Sequence, residues 1–278
     1  MSKILAGKKG LITGVIDNHS LAWHIAKRCV ENGATIVLSA TEAATQLGYI
    51  KELSSNTGLQ VINCDLTKIE EIDMLLDKAV DALGGKLDFV LHAVAQSDNI
   101  RRRKPYETLS YNYYVKTLDT SAFSLHKLLH CAMEKDAINE YGSVVTLTYI
   151  ASERYMYGYN DMADAKAVLE SIVRQMGAIY GKHKKVRVNA VSQSATKTKA
   201  GQQWKEQECF YRYSNDMSPL GSADADDCAD LCVALFSDLM KKVTMQTIYN
   251  DGGFSHTLLT ETVINDLRNI ETQKISTK

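Results

Sequence analysis

The stretch GLITGVIDNHSLAWHIAKRCVENGATIVLS at residues 10–39 is typical of a strand, a tight turn, a helix and a second strand. An apolar run ends before Gly14, a segment with helical spacing begins at Ser20, and Gly33 precedes the second apolar run. A helix N-terminus after such a turn often binds phosphate, because its free N–H groups point outward. Only Gly14 matches the G-x-G-x-x-G pattern, and the loop is longer, so a turn without a ligand is an equal alternative.

The same alternation of apolar runs and helical segments continues along the chain. Continuous apolar strands between helices indicate a parallel sheet covered on both faces, and right-handed crossovers make it doubly wound. We therefore predict a Rossmann-type α/β fold, a doubly wound parallel sheet of about seven strands, in a single domain spanning residues 1–278. The runs are GLIT (10–13), TIVLS (35–39), LQVINC (59–64), LDFVLHAVA (87–95), SVVTLTY (143–149), VRVNAVS (186–192) and TMQTIYND (244–251).

The composition is that of an ordinary globular protein, with 45% hydrophobic and 23% charged residues. The formal net charge of -1 gives no overall attraction to nucleic acid or to a membrane surface, and neither is expected as a partner. No apolar run approaches the length of about 18 residues typical of a membrane helix, and the N-terminal apolar segment is too short for a secretory signal. We therefore predict a cytoplasmic protein. The six cysteines form no C-x-x-C pair and no His cluster has ligand spacing, so no metal site is expected.

Two further strand ends carry features that suit a flat cofactor. The third run is followed by Asp65 in "NCDLT", a carboxylate placed to accept a hydrogen bond from an adenine amino group. The fourth run ends in "HAVAQS", whose small residues let a cofactor approach the backbone. Ligands of open α/β sheets bind outside the carboxyl ends of the strands. Together with the first turn, these strand ends predict a dinucleotide site.

The motif "YNDMADAK" places Tyr159 seven residues before Lys166. Seven helical steps of about 100° make a rotation of about 700°, so both side chains are predicted to lie on one helix face, about 10 Å apart. That separation suits a bridging ligand, such as a nicotinamide ribose at Lys166 with the reacting group near Tyr159. Tyr149, at the end of the fifth run, is predicted to enter the same pocket. Tyrosines are plentiful, 14 in all, and the alternative is an amphipathic surface formed by Tyr155, Tyr157 and Tyr159.

Taken together, these motifs resemble the NADH-dependent enoyl-acyl-carrier-protein reductases, a divergent branch of the short-chain dehydrogenase/reductases. The seven-residue spacing from Tyr to Lys separates this branch from ordinary members, which use four. The resemblance covers residues 3–255 and rests on the motifs TGVIDNHSLAWHIA, CDLT, DFVLHAVA, LTYIASERYMYGYNDMADAKAVLES, VRVNAVSQSATKT and YNDGGF. It implies reduction of the 2,3 double bond of an enoyl thioester on acyl carrier protein by NADH, in fatty-acid elongation. It also implies a homotetramer built on the helices around 111–134 and 160–181.

The resemblance also implies the roles of individual residues. Tyr159, Tyr149 and Lys166 are the catalytic residues, with Tyr159 donating to the enolate oxygen and Lys166 binding the nicotinamide ribose. Ser97 and Met162 lie with both tyrosines beside the substrate. The other expected cofactor-binding residues, of which the last five cap the nicotinamide amide, are Gly14, Ser20, Leu21, Thr41, Asp65, Leu66, Val94, Thr196, Lys197, Thr198, Lys199 and Ala200.

Two departures from the family pattern leave alternatives open. Ala95 replaces a frequent glycine, and "QSAT" at 193–196 replaces a frequent Gly-Pro pair. A non-catalytic NAD-binding paralogue is therefore one alternative. A carbonyl reductase of the same superfamily is the other, and the Tyr-to-Lys spacing argues against it.

Charges near the expected site predict the choice of cofactor and partner. The segment "SATEAA" after the second strand offers no Lys or Arg to a 2′-phosphate, and Glu42 repels one, so NADH is expected over NADPH. The tract of Arg101, Arg102, Arg103 and Lys104 is predicted at the rim of the site, where it would meet an acidic carrier protein. A solvated loop is the alternative. Lys205, in a predicted lid at 195–217, would join the tract, and the polar tail at 270–278 is expected to be frayed.

Overall fold

Seven parallel strands form one sheet in this computed structural model, which describes residues 3–46, 48–196 and 207–276. Their order across the sheet follows the chain outward in both directions from the first strand, as in doubly wound dinucleotide-binding folds. The predicted fold class is confirmed. The strands are β1 (Lys9–Thr13), β2 (Thr35–Ala40), β3 (Val61–Asn63), β4 (Leu87–His92), β5 (Ile138–Thr148), β6 (Arg187–Gln193) and β7 (Thr247–Asn250), in the order β3-β2-β1-β4-β5-β6-β7.

Some strand bounds differ from the prediction. β3 covers only 61–63 of the predicted 59–64, because it is an edge strand that pairs with β2 alone. β4 ends at His92, three residues before the predicted end, since the chain leaves the sheet there to line a cavity. β5 begins at Ile138, earlier than predicted, and its pairing with β4 shifts register between Leu87 and Phe89.

Helices connect the strands and cover both faces of the sheet. Two short helices, at 98–101 and 111–118, follow β4, and a π-helix at 119–123 joins the second of them to the next helix. In the described ranges the α-helices are α1 (Leu21–Glu31), α2 (Glu42–Gln46), α3 (Tyr49–Thr57), α4 (Ile69–Leu83), α5 (Asp98–Arg101), α6 (Tyr111–Leu118), α7 (Ser124–Glu134), α8 (Asn160–Lys184), α9 (Gln207–Met217), α10 (Ala225–Phe236) and α11 (Glu261–Ser276).

Each face of the sheet has its own apolar core. On one face, α4, α7 and α8 bury residues such as Leu75, Leu128 and Val173 against the strands. On the other face, α1 and α10 pack together, and Phe236 stacks on Phe89 with ring centroids 4.4 Å apart. The helices therefore hold the strands from both sides and leave the carboxyl ends of the strands open to a ligand.

The C-terminal segment differs from its prediction. α11 continues as far as Ser276, so most of the tail expected to be frayed is helical. No helix of the described residues is both long enough and apolar enough to cross a membrane.

Candidate functional site

A cavity of about 730 Å³ runs along the carboxyl ends of the strands. Ligand sites usually have volumes of about 300–1,000 Å³. The cavity lies where the sheet topology predicts a dinucleotide. Of the predicted site residues, those at positions 197–200 lie outside the residues that the structure describes. All the other predicted site residues line it: Gly14, Ser20, Leu21, Thr41, Asp65, Leu66, Val94, Ser97, Tyr149, Tyr159, Met162, Lys166 and Thr196.

The first βα turn forms one end of the cavity. Gly14 has φ of 84°, and a Cβ atom there would lie 2.0 Å from the carbonyl oxygen of Ala93, so only glycine fits. Ser20 caps α1 by accepting a hydrogen bond from the Trp23 amide at 3.4 Å, and its own hydroxyl donates to the Asp17 carbonyl at 2.7 Å. These contacts fix the N-terminus of α1 beside the cavity, where its N–H groups suit a phosphate.

Asp65 is held by its own loop. Its Oδ1 atom accepts hydrogen bonds from the Thr67 amide at 3.0 Å and from the Thr67 hydroxyl at 2.7 Å. Its backbone N–H donates to the Glu71 carboxylate at 2.7 Å. The Asp65 carboxylate is thus fixed at the cavity wall, next to the strand end that the sequence identified.

Tyr159 lies one residue before α8, so the prediction that it lies within the same helix as Lys166 is wrong. Gly158 and Asn160, on either side of it, have φ of 77° and 45°, and these left-handed conformations form a turn. The Asn160 side-chain amide donates to the Lys104 carbonyl at 2.6 Å and holds the turn in place. The turn, and not the helical period, brings the tyrosine into the cavity that Lys166 also lines.

Lys166 is a buried cation. Its side chain is only 6% exposed, and Nζ donates to the Leu147 carbonyl at 2.8 Å. Burial lowers the pKa of Lys166 to about 8, against the opposing effect of the Glu170 carboxylate. The lysine therefore remains largely protonated at neutral pH. Sequence analysis missed Glu170, although its position four residues after Lys166 on the helix was a usable signal.

The rings of the two predicted active-site tyrosines pack against each other. The rings of Tyr149 and Tyr159 have centroids 5.4 Å apart. Burial raises the pKa of both phenols above the usual value, so both keep their protons at neutral pH and act as hydrogen-bond donors. The Tyr149 hydroxyl is buried and has no hydrogen-bond partner among the described residues.

Helix α9 closes part of the cavity. The sequence did not predict which of its residues would line it. Phe210 packs edge-on against Tyr149, with centroids 6.4 Å apart, and against Phe254 at 6.0 Å. The Tyr211 hydroxyl donates to the Thr196 carbonyl. The described part of the predicted lid therefore contacts the active-site tyrosine, but no spacing in the sequence indicated which aromatic residue would do so.

Ser97 lines the cavity, but its hydroxyl is already engaged. It donates to Oδ1 of Asp161 at 2.7 Å and accepts from the Ile100 amide at 3.0 Å. Asp161 is fully buried, and its Oδ2 atom also accepts from the Asn99 amide at 2.8 Å and the Thr117 hydroxyl at 2.9 Å. Sequence analysis quoted the motif that contains Asp161 but did not identify this cluster, since three of its members lie in a distant segment.

The basic tract at 101–104 begins at the cavity lining. All four of its residues are exposed, and Arg101 contributes to the cavity lining. The Arg102 guanidinium lies 4.9 Å from the ring centroid of Tyr113. The predicted rim position is therefore observed for Arg101, whereas Lys205 lies outside the described residues.

Comparisons with known proteins match nearly the whole chain. A family model described as enoyl-(acyl carrier protein) reductase matches residues 14–255. The enoyl-acyl-carrier-protein reductase (NADH) 2 of Rhizobium meliloti (strain 1021) is 35% identical over 260 residues, which are 92% of this chain and 95% of that protein. The crystal structure of a FabI–NADH complex from Alistipes finegoldii is 48% identical, with a TM-score of 0.92, and the match covers 94% of this chain and 92% of that one.

A more distant structure contains a different cofactor. The crystal structure of the Bacillus cereus enoyl-acyl carrier protein reductase with NADP+ and indole naphthyridinone is 28% identical, with a TM-score of 0.86, and the match covers 92% of this chain and all 100% of that one. The family model's match includes every residue that lines the cavity from Gly14 onward.

Proposed function

The chain belongs to the enoyl-acyl-carrier-protein reductase family, and we infer from this membership that it reduces the 2,3 double bond of enoyl thioesters with NADH. The observation that carries the inference is the convergence of Tyr149, Tyr159 and Lys166 on one cavity at the strand ends. No comparison favours the carbonyl reductase or the non-catalytic paralogue. We place the reaction in fatty-acid elongation, with acyl carrier protein as the carrier of the substrate.

The cavity residues fit a dinucleotide. Gly14 has no side chain to cover the backbone next to the capped N-terminus of α1, where a pyrophosphate would be bound. Asp65 offers a carboxylate oxygen to the adenine, and Lys166 offers a buried ammonium group to the nicotinamide ribose. When bound, NADH supplies the hydride that is added to the β-carbon of the enoyl thioester.

We propose that Tyr159 stabilises the charge that develops during this reduction. Addition of hydride at the β-carbon moves an electron pair onto the thioester carbonyl oxygen and gives an enolate. A protonated phenol is a suitable donor to that oxygen, and removal of one such donor typically costs about 2.7–4 kcal/mol of transition-state stabilisation. The Lys166 cation further favours the negative charge. A proton added at the α-carbon completes the reduction and leaves the thioester bond intact.

Tyr149 has a different proposed role. Its ring packs between Tyr159 and Phe210, so it shapes the pocket around the reacting atoms. Met162 and Ser97 also line the cavity and complete the proposed substrate wall. Thr196, on the opposite strand end, is the described member of the segment proposed to hold the nicotinamide amide.

We propose that the enzyme prefers NADH to NADPH. Thr41 follows β2 at the cavity wall, and Glu42 follows it with a negative charge. No Lys or Arg among the described residues at 41–46 offers a counter-charge to a 2′-phosphate. Comparison of kcat/KM with each cofactor tests this preference, and equal efficiency with both would contradict it.

We propose a homotetramer built on the helices around 111–134 and 160–181. The support is a set of apolar side chains exposed on this surface in the single chain. Tyr111 and Val115 on α6 are 81% and 61% exposed, and Ile179 on α8 is 43% exposed. Light scattering coupled to size-exclusion chromatography tests the proposal, with Val115→Lys expected to reduce the measured mass.

One assay separates the proposed reaction from its alternatives. Oxidation of NADH is followed spectrophotometrically with crotonyl-pantetheine, with a simple ketone and with neither substrate. Enoyl reduction predicts activity with the thioester only. Activity with the ketone only would identify a carbonyl reductase, and NADH binding without turnover of either compound would identify a non-catalytic protein.

A further inference from the structure

The segment after β4 is tied to the start of α8 by a buried carboxylate. We call residues 97–117 the substrate-side segment, because it supplies Ser97, Ile100 and Arg101 to the cavity lining. Three of its side chains donate to Asp161, and no ion pair involving Asp161 is formed within the described part of the chain. A buried carboxylate needs such donors, and Ser97 and Asn99 need the carboxylate in turn. The Thr117 hydroxyl has a second acceptor, the Tyr113 carbonyl at 2.9 Å.

The three donors span the whole substrate-side segment. Ser97 is at its start, Thr117 is at its end, and Asn99 lies two residues after Ser97. The Asn99 side chain donates to the Ser110 carbonyl at 3.3 Å and accepts from the Ser110 amide at 3.1 Å, which closes the base of the loop that carries the basic tract. Through these contacts Asp161 holds both ends of the loop against the turn that carries Tyr159.

A second carboxylate on the same helix makes a useful contrast. Asp164, three residues further on, accepts from the hydroxyls of Tyr106 at 3.1 Å and Tyr114 at 3.0 Å. Tyr106 is 56% exposed, so water can replace its hydrogen bond when the carboxylate is removed. Water cannot reach the contact between Asn99 and Asp161 in the same way, because neither residue has any exposed surface.

We propose that Asp161 is a positioning residue that sets the distance between the substrate wall and the catalytic turn, and thereby sets the KM for the enoyl thioester. The proposal rests on the proposed function. Removal of the carboxylate leaves the Ser97 hydroxyl and one Asn99 N–H without their acceptor, so the substrate-side segment must shift to satisfy them. The cofactor wall is held separately by the contacts of Gly14, Ser20 and Asp65, and it should keep its geometry.

The test compares three variants by steady-state kinetics with crotonyl-pantetheine and by NADH binding. Asp161→Ala should raise the KM for the thioester about tenfold, with a smaller change in kcat and with the NADH dissociation constant within about twofold of wild type. Asp161→Asn keeps an oxygen for Asn99 and Thr117 and turns its amide toward Ser97, so it should restore most of the wild-type KM. Asp164→Asn is the matched control on the same helix and should leave the KM nearly unchanged.

The outcomes separate this proposal from the function on which it rests. Wild-type protein that does not reduce the thioester refutes the proposed function, whatever the variants do. An active wild type with an unchanged KM in Asp161→Ala refutes the positioning role, and so does an equal loss of NADH affinity, which would indicate general destabilisation. If Asp161→Ala does not fold, Asn99→Ala and Thr117→Val each remove one donor to Asp161 at a position outside the cavity lining. Both should then raise the KM severalfold, and wild-type values in both would overturn the proposal.

Discussion

The cofactor side of the cavity, at the ends of β1 to β3, differs from the substrate side, at the ends of β4 and β5, in what fixes its geometry. On the cofactor side the contacts are local or made by the backbone: the Gly14 amide donates to the Ser39 carbonyl, and Asp65 is held by Thr67 two residues away. On the substrate side they join distant side chains, such as Ser97 and Asp161, which are 64 residues apart. The geometry of the cofactor side should therefore be sensitive to changes in the backbone. The geometry of the substrate side should be sensitive to the loss of single polar groups.

The largest effect is expected on the substrate side, from Tyr159→Phe. The variant removes the proposed donor to the enolate oxygen but keeps the ring, so kcat should fall about 100-fold or more. NADH affinity should change little, because the hydroxyl acts mainly in the transition state. Steady-state kinetics on several thioesters and a binding titration with NADH measure the two effects. Tyr149→Phe is the control, with a smaller expected loss, and unchanged turnover in Tyr159→Phe would show that another group stabilises the enolate.

The next effect is expected on the cofactor side, from Gly14→Ala. The added methyl group would overlap the Ala93 carbonyl and is incompatible with φ of 84°, so the turn must move away from its place beside α1. NADH binding, measured by fluorescence titration, should weaken by about thirtyfold, from the order of 2 kcal/mol of lost interaction. Gly58→Ala is a matched control, since Gly58 also has positive φ, of 70°, but has nothing within 4 Å of the new Cβ. Similar losses of NADH affinity in both variants would mean that backbone strain alone explains the result.

Lys166 lies between the two sides, and its titration should appear in the pH profile. Its pKa in the folded protein is lowered to about 8, so the cation is present below that pH and is lost above it. We expect kcat/KM to fall above pH 8, approaching about tenfold per pH unit when the lysine is largely neutral. Lys166→Met should weaken NADH binding and lack this decrease. A wild-type profile that stays flat to pH 10 would contradict the assignment of Lys166 as the required cation.

The smallest effect is expected at the rim, from replacing the three arginines at 101–103 by serine. Their proposed role is to steer an acidic carrier protein, so kcat/KM with the carrier-bound substrate should fall about fivefold at low salt and less at high salt. Reduction of crotonyl-pantetheine should be nearly unchanged. A variant with Lys51, Lys78 and Lys182 changed to serine alters the net charge equally at exposed positions that do not line the cavity. Equal losses on both substrates would show that the tract supports the pocket and not docking.

The fold and the cofactor side were predictable from the sequence because their signals are local. The alternation of apolar runs and helical segments gave the seven parallel strands, and Gly14, Ser20 and Asp65 were found from their places after strands. The cytoplasmic location and the bounds of the single domain and lid stay predictions. The resemblance to a known family supplied roles for residues, such as Met162 and Thr41, that no spacing in the chain indicates.

The substrate side was less predictable because its contacts depend on tertiary structure. Nothing near Asp161 in the sequence shows that Ser97, Asn99 and Thr117 converge on it. The position of Phe210 against Tyr149 likewise depends on how α9 packs. The angular argument for Tyr159 failed for a different reason, since left-handed residues on both sides of it are not visible in a hydrophobic pattern.

The left-handed backbone at Asn160 has a consequence for how such a site can vary in evolution. An insertion within α8 would rotate every later side chain by about 100° and carry Lys166 away from its place. A change of length in the loop before Asn160 leaves the register of the helix intact, because the turn absorbs the difference before the helix begins. The seven-residue spacing is therefore one step from Tyr159 to Asn160 plus six steps along α8. The turn can therefore change the position of the tyrosine without moving the lysine, whose place is fixed by the helix.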